Sequence, residues 1–145
     1  MFILDTNVLS AMMHPGRVPE LAAWIERQEE GRLFTTAMSH AEIFSGLTIM
    51  ADGRRRDLER MAREMFEEFE GRILSFDTNA ANAYAELFAL GRRGGRPVAT
   101  LDLMIASIAQ AQGACMVTRN AGDFEGCGLT LINPWKDTWL RRPLE

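Results

Sequence analysis

Short apolar runs alternate with longer segments of helical periodicity along the whole chain, and this alternation restricts the fold more than any other feature. Short apolar runs bounded by polar or turn residues are typical of buried strands. Strands are predicted at Phe2–Leu4, Leu33–Thr35, Arg72–Phe76, Cys115–Thr118 and Leu129–Ile132. Helices are predicted between them, at Thr6–Met13, Val18–Gln28, Ser39–Met50, Arg54–Glu70, Thr78–Leu90 and Thr100–Gln112. Because such alternation produces parallel sheets with helices on both faces, the sequence predicts a three-layer α/β/α fold with a mainly parallel sheet.

The size of the chain is that of one ordinary globular domain. Its 145 residues, 47% of them hydrophobic, can bury one core and are too few to imply two. We therefore expect a single domain over residues 1–145. The tail from about residue 134 contains two tryptophans in a polar setting, and it is expected to pack on the body or on a partner.

Charge and targeting features indicate a cytoplasmic protein. No apolar run approaches the roughly 18 residues that a membrane span needs, and the N-terminus lacks the basic segment of a signal peptide. Cys115 and Cys127 are not spaced as zinc ligands, so reduced thiols are expected. The net charge of −4 argues against nucleic-acid binding through a broad basic face. It permits a nucleic-acid enzyme whose acidic centre is neutralised by metal.

Two acids near predicted helix starts each have an ordinary structural explanation. Glu42 follows Ser39 by three residues, which is the spacing of a capping box. Asp102 follows Thr100 by two residues and complements the positive end of a helix dipole. Taken one at a time, these positions favour structural roles.

The shared position of the acids changes that interpretation. Asp5 and Asp123 can also be turn or cap residues, as can Asp77, which repeats the Asp-Thr-Asn sequence beginning at Asp5. In a parallel sheet, however, strand carboxyl ends and the helices that follow them share one edge, where ligands bind. Carboxylates that converge there repel one another unless a cation or proton intervenes, and Mg²⁺ or Mn²⁺ suits an all-oxygen cluster. Asp5, Glu42, Asp102 and the turn from Asn120 to Asp123 therefore predict a metal-dependent phosphoryl-transfer or nuclease centre.

Five segments carry a family resemblance. They are ILDTNVLS, SHAEIFSGL, LDLMIASIAQAQG, VTRNAGDFEG and INPW, in that order. Their order and spacing resemble the PIN-domain ribonucleases of the VapC type, the toxins of bacterial toxin–antitoxin pairs, and in particular the FitB-like branch. The resemblance covers nearly the whole chain, and it implies a PIN-like fold.

The resemblance also implies an activity and a set of site residues. It implies a Mg²⁺-dependent endoribonuclease, with Mn²⁺ as a possible alternative, whose first three acids match Asp5, Glu42 and Asp102. Some members carry the fourth acid where this sequence has Asn120, and others where it has Asp123; we assign Asp123. The supporting residues are then Thr6, Asn7, Thr118 and Asn120. Asp77 has no counterpart among the family's acids and is interpreted as a helix cap.

Partners are implied by the resemblance alone. They are a cognate antitoxin of the VapB or FitA kind, an RNA substrate and a second copy of the chain in a homodimer, with DNA contacted only through the antitoxin. Methionine-rich helix faces, which suit an adaptable protein surface, agree with a bound antitoxin. Arg92, Arg93 and Arg96, in the predicted turn GRRGGRP at residues 91–97, are candidates for RNA binding. A plain surface turn is the alternative for each of them.

Three other functions stay open from the residues. A catalytically degenerate PIN module would bind an antitoxin or RNA without cleavage, and Asn120 in an acidic position supports it. An aspartyl-phosphate phosphatase would use Asp5 as nucleophile, but it would need an acid where Asn7 stands. A metal-free ribonuclease would need His40 as an acid–base group.

Overall fold

The computed structural model describes residues 1–136 and the backbone of residues 138–140, and one sheet runs through the centre of the described fold. Its strands are β1 Phe2–Leu4, β2 Leu33–Thr36, β3 Ile73–Leu74, β4 Cys115–Val117, β5 Leu131–Asn133 and β6 Thr138–Leu140. Their spatial order is β3-β2-β1-β4-β5-β6. The first five are parallel, and β6 is antiparallel to β5. The mainly parallel sheet predicted from the sequence is confirmed.

Six α-helices connect the strands in the described part of the chain. They are α1 Thr6–Met12, α2 Pro19–Glu26, α3 Ala37–Thr48, α4 Asp52–Glu68, α5 Thr78–Arg93 and α6 Thr100–Gln112. Short 3-10 turns lie at Glu30–Arg32 and Ala121–Phe124. Helix α6 ends at Gly113, whose φ of +61° is a left-handed conformation that glycine adopts without strain. No helix among the described residues has both the length and the hydrophobicity needed to cross a membrane.

The helices form two layers, one on each face of the sheet. Side chains alternate along β1, so that Phe2 and Leu4 pack on one face and Ile3 packs on the other. Buried residues of α1, α2, α3 and α4 cover the first face, and those of α5 and α6 cover the second. Since β1 is buried on both sides, its apolar run needs no polar alternation. The three-layer α/β/α arrangement is confirmed.

Several element boundaries differ from the predictions. Helix α5 continues through Arg93, so the predicted turn at residues 91–97 really begins at Gly94. Arg92 and Arg93 extend the helix because arginine is a good helix former and complements the negative end of the dipole. Strand β3 is limited to Ile73 and Leu74, shorter than predicted. Strand β6 was not predicted, and the rest of the tail, at residues 137 and 141–145, lies outside the described residues.

Candidate active site

The carboxyl edge of the central strands carries the predicted acids. Asp5 directly follows β1, and Glu42 lies in the second turn of α3, which follows β2. Asp102 is in the first turn of α6, and Asp123 lies in the 3-10 turn after β4. Because all these elements begin or end at the same edge, residues far apart in sequence come together there.

Asp5 is the most buried of these acids, with only 3% of its surface exposed. Its Oδ1 accepts the N–H of Thr6 at 2.8 Å, which makes it the N-cap of α1. Its Oδ2 accepts the Thr118 hydroxyl at 2.8 Å and the Asn7 amide at 3.3 Å. Burial raises the pKa of Asp5 above its ordinary value of 3.8, and these three hydrogen bonds oppose the increase. Asp5 is therefore a helix cap and also the centre of a buried polar network.

Glu42 is not the capping-box residue that its spacing predicted. The N-cap of α3 is Thr36, whose side chain accepts the N–H of Ser39 at 3.2 Å. The helix consequently begins at Ala37, and Glu42 is too far along it to reach back to the cap amide. The structural interpretation of Glu42 is wrong for this reason: strand β2 extends to Thr36, so the hydroxyl residue that caps the helix is Thr36 and not Ser39.

One oxygen of Glu42 lacks any hydrogen-bond partner. Its Oε1 is buried and unpaired, and such an atom is costly to bury without compensation. Burial raises the pKa of Glu42 above 4.5, and the carboxylates of Asp102 and Asp5 raise it further, whereas a hydrogen bond from the Thr6 side chain lowers it. The Glu42 carboxyl group thus lies near two other acidic side chains, and one of its oxygens has no protein donor.

Asp102 and Asp123 are the other two acids of the group, and their charges interact. Burial raises the pKa of Asp102 above 3.8, and the nearby charges of Asp5 and Asp123 raise it further. Asp123 itself is exposed, and its N–H donates to the carbonyl of Asn120 at 3.0 Å. Asp5, Glu42 and Asp102 thus lie within electrostatic range of one another, and Asp123 lies within range of Asp102.

The donor set fits a hard divalent cation. Within the described residues, no three Asp, Glu, His or Cys side chains are already close enough to enclose a metal ion by themselves. Mg²⁺, however, keeps several of its waters and is commonly held by only one or two carboxylates. Mutually repelling carboxylates and an unpaired buried Glu42 oxygen are what such an ion would compensate. Asp5, Glu42 and Asp102, with Asp123 near Asp102, are the residues that would hold it.

The supporting residues predicted from the sequence link the acids to one another. Thr118 is fully buried, and its hydroxyl also accepts the N–H of Asn120 at 3.1 Å. Asn7 donates to both Asp5 and Thr118, at 3.3 Å in each case. The Thr6 hydroxyl contacts that of Ser39 at 3.0 Å. Asn120 is exposed, and its described hydrogen bonds, to Thr118 and to the N–H of Asp123, are made through its backbone.

The arginines proposed to bind RNA and His40 lie in different environments. The guanidinium of Arg92 lies 5.1 Å from the centre of the Phe88 ring, and that of Arg96 is 3.4 Å from Glu125. Arg93 is exposed near the end of α5. The His40 ring lies against two phenylalanine rings, with both centroid distances at 4.6 Å.

Sequence reasoning missed three residues that the structure places at this edge. Ser39 is fully buried and links Thr36 to Thr6. Arg119 and Asn133 join the end of β4 to the end of β5 through a 3.1 Å hydrogen bond. The only available signal was their presence in the segments SHAEIFSGL, VTRNAGDFEG and INPW, since their contacts are all tertiary.

Comparisons with known proteins agree with this fold. The family model of the PIN domain matches residues 2–125. The plasmid stability protein StbB of Pseudomonas syringae pv. tomato is 38% identical over 138 residues, 94% of this chain and 99% of StbB. VapC ribonuclease Y4jK of Sinorhizobium fredii is 36% identical over 138 residues, again 94% of this chain and 99% of the relative. The solved structure of FitAB bound to the IR36 DNA fragment matches with a TM-score of 0.86 at 31% identity, covering 93% of this chain and 96% of that one.

The match to the family model and the level of identity establish the family. This chain belongs to the PIN-domain family, and its similarity to VapC and FitB proteins confirms the resemblance noted from the five sequence segments.

Proposed function

We propose that this protein is a metal-dependent endoribonuclease that hydrolyses RNA phosphodiester bonds, with Mg²⁺, or alternatively Mn²⁺, held by Asp5, Glu42, Asp102 and Asp123. The observation that carries the proposal is the unpaired buried oxygen of Glu42 in a group of acids where neighbouring carboxylate charges raise the pKa of both Glu42 and Asp102. Its relative Y4jK is named a VapC ribonuclease, which supports RNA as the substrate.

The residues of the chain prepare the site for this chemistry. A bound divalent metal supplies an activated water and stabilises charge on the phosphate oxygens. Asp5 has about four lone-pair positions, of which Thr6, Asn7 and Thr118 occupy three. The remaining position is on Oδ1, so the network fixes the carboxylate and leaves one ligand position available. Glu42 contributes its unpaired Oε1.

We further propose that the protein is the toxin of a toxin–antitoxin pair in the cytoplasm and forms a single domain and a homodimer. Its structural relative is a complex of FitAB with DNA, which supports a VapB- or FitA-like antitoxin that mediates contact with DNA. An apolar pocket between α1 and α2, lined in part by Met12, Leu21 and Ile25, offers a site for an antitoxin side chain. Light scattering during size-exclusion chromatography tests the dimer, and co-purification of tagged protein from its native host tests the antitoxin.

The decisive experiment compares cleavage by wild-type protein and Asp5→Asn. Purified, antitoxin-free protein is incubated with structured RNAs in Mg²⁺, Mn²⁺ or EDTA, and the fragment termini are mapped. We expect cleavage that requires metal, leaves 5′-phosphates and falls by at least about 100-fold in Asp5→Asn, because the central metal ligand loses its charge. Thermal unfolding checks that the variant is folded.

Asp77→Asn is the matched control, since it makes the same change in the other Asp-Thr-Asn segment. Asp77 caps α5 through a 2.9 Å bond from the Ala80 N–H and is exposed, and asparagine caps helices equally well. We expect cleavage by this variant to be unchanged. Metal-independent cleavage that leaves cyclic phosphates would instead indicate His40 as an acid–base group. RNA binding without cleavage in any condition would support the degenerate module.

A further inference from the structure

Arg119 has an exposed side chain on a tightly held backbone at the edge of the acidic site. It follows Thr118, whose hydroxyl donates to Asp5. The N–H of Arg119 donates to Oδ1 of Asn7 at 3.1 Å, and its carbonyl accepts from Nδ2 of Asn133 at 3.1 Å. The peptide groups on both sides of Arg119 are therefore fixed relative to the acidic group.

The side chain of Arg119 is oriented by the next strand along the sheet. Its guanidinium lies 5.8 Å from the centre of the Trp135 ring, and the Trp135 N–H donates to Oδ1 of the buried Asn133 at 3.0 Å. Trp135 follows β5, and β4 lies between β5 and β1, which ends at Asp5. The guanidinium is thus directed along the sheet edge, away from the carboxylates and towards β5.

The guanidinium of Arg119 has N–H donors that are available to bind a ligand. Among residues 1–136 it forms no ion pair, unlike Arg55, Arg72 and Arg96. A guanidinium carries five N–H donors in a planar fork that matches a phosphate, and it is weakly hydrated. Contact with an aromatic ring restricts its conformations in advance, which lowers the entropy lost on binding.

We propose that Arg119 binds a backbone phosphate of the RNA on the β5 side of the acidic site. The inference rests on the proposed function, because it assumes that RNA passes over the acids. Four carboxylates repel the RNA backbone, so a strand that crosses them requires cationic contacts on neighbouring phosphates. In this arrangement Asn7, Asn133 and Trp135 are positioning residues, and Asn7 connects the phosphate contact directly to the Asp5 network.

The test measures RNA binding separately from cleavage. Asp5→Asn is the parent protein, a short fluorescein-labelled single-stranded RNA of mixed sequence is the probe, and affinity is measured by anisotropy over a series of salt concentrations. Adding Arg119→Ala should weaken binding roughly tenfold, as the loss of a charge-assisted phosphate contact would. The slope of the logarithm of the association constant against the logarithm of the salt concentration should become shallower by about 0.7, the value for one phosphate contact on a single strand. Arg119→Lys should keep the slope, because it keeps the charge.

Arg32→Ala is the matched control. Its guanidinium also lies over an aromatic ring, 4.9 Å from the centre of Phe2, but it precedes β2 and so lies at the opposite edge of the sheet. We expect no change in affinity or slope. Equal effects of the Arg32 and Arg119 changes, an unchanged slope in Arg119→Ala, or no measurable RNA binding by the parent would each overturn the inference.

The two proposals can fail separately. If wild-type protein cleaves RNA but Arg119→Ala binds like its parent, only the role of Arg119 is wrong. A second outcome is that wild-type protein does not cleave RNA while Arg119→Ala shows the expected shallower salt dependence of RNA binding. In that case the nuclease proposal fails and the phosphate contact stands. In an active enzyme, Trp135→Leu should raise KM with little change in kcat, and Trp135→Phe should restore KM, because a ring still orients the guanidinium.

Discussion

The two Asp-Thr-Asn segments place the same residues in different environments. Asp77 is exposed, and its described role is the cap of α5. Asp5 caps α1 in a similar way, but it also accepts the hydroxyl of Thr118, which is 113 residues away in the sequence. Asp5 follows a central strand, between β2 and β4, and its side chain is buried. The additional role of Asp5 therefore arises from its neighbours in space and not from its local sequence.

At the residue scale, removing one charge from the acidic group should stabilise the metal-free protein. Burial and the charges of Asp5 and Asp123 raise the pKa of Asp102, so its ionised form is less stable in the folded state than in the unfolded state. Asp102→Asn should therefore raise Tm in EDTA. Because the side chain is partly exposed, solvent screening limits the effect, and we expect about 2–4 °C by differential scanning calorimetry.

Asp52→Asn is the control for this prediction. Asp52 also lies in the first turn of a helix, but it is exposed and 3.8 Å from Arg55. Its substitution should leave Tm unchanged or slightly lower, because it removes a favourable interaction with the helix dipole. A decrease in Tm of Asp102→Asn as large as that of Asp52→Asn would show that the acids do not destabilise one another.

At the element scale, the start of α3 controls the position of Glu42. Two hydroxyl residues, Thr36 and Ser39, precede the apolar face of the helix, and the sequence alone favoured Ser39 as the cap because Glu42 follows it by three residues. The structure extends β2 by one residue, so Thr36 becomes the cap. Pairing of Thr36 with Leu74 of β3 accounts for the difference. Local spacing cannot reveal where such pairing stops.

Thr36→Ala should lower the free energy of unfolding by about 1 kcal/mol, since the cap of α3 is lost at a fully buried position. Thr36→Ser keeps an oxygen at the same place and should cost less than half as much. Urea denaturation of the two variants beside wild type measures the difference. Equal stability of the alanine variant and wild type would mean that Thr36 does not cap the helix.

At the scale of the whole molecule, the acidic group couples folding to pH and metal. The pKa values of Asp5, Glu42 and Asp102 in the folded state are raised from 3.8, 4.5 and 3.8. Between the ordinary and the raised pKa values, the folded state therefore binds more protons than the unfolded state. The free energy of unfolding in EDTA should therefore fall as the pH rises above about 4 through the raised pKa values. Bound Mg²⁺ favours the ionised carboxylates, so saturating Mg²⁺ should remove most of this decrease.

Urea titrations between about pH 4 and 7, with Mg²⁺ or with EDTA, measure this coupling. The double variant Asp5→Asn, Asp102→Asn should show a weaker dependence on pH and little response to Mg²⁺, because two of the coupled carboxylates are gone. If Mg²⁺ stabilised this variant as much as wild type, the ion would bind elsewhere on the protein.

The amino-acid sequence by itself determined the alternation of strands and helices, the mainly parallel sheet and the positions of the acids in it. These follow from periodicity and from which residues can end a strand or begin a helix, both of which are local properties. The tertiary structure alone decided that Thr36 caps α3, that one Glu42 oxygen stays unpaired, and that Arg119 is held between Asn7 and Asn133. Each of these depends on distances between segments far apart in the chain, and such distances are set only when the strands pair and the helices pack on them.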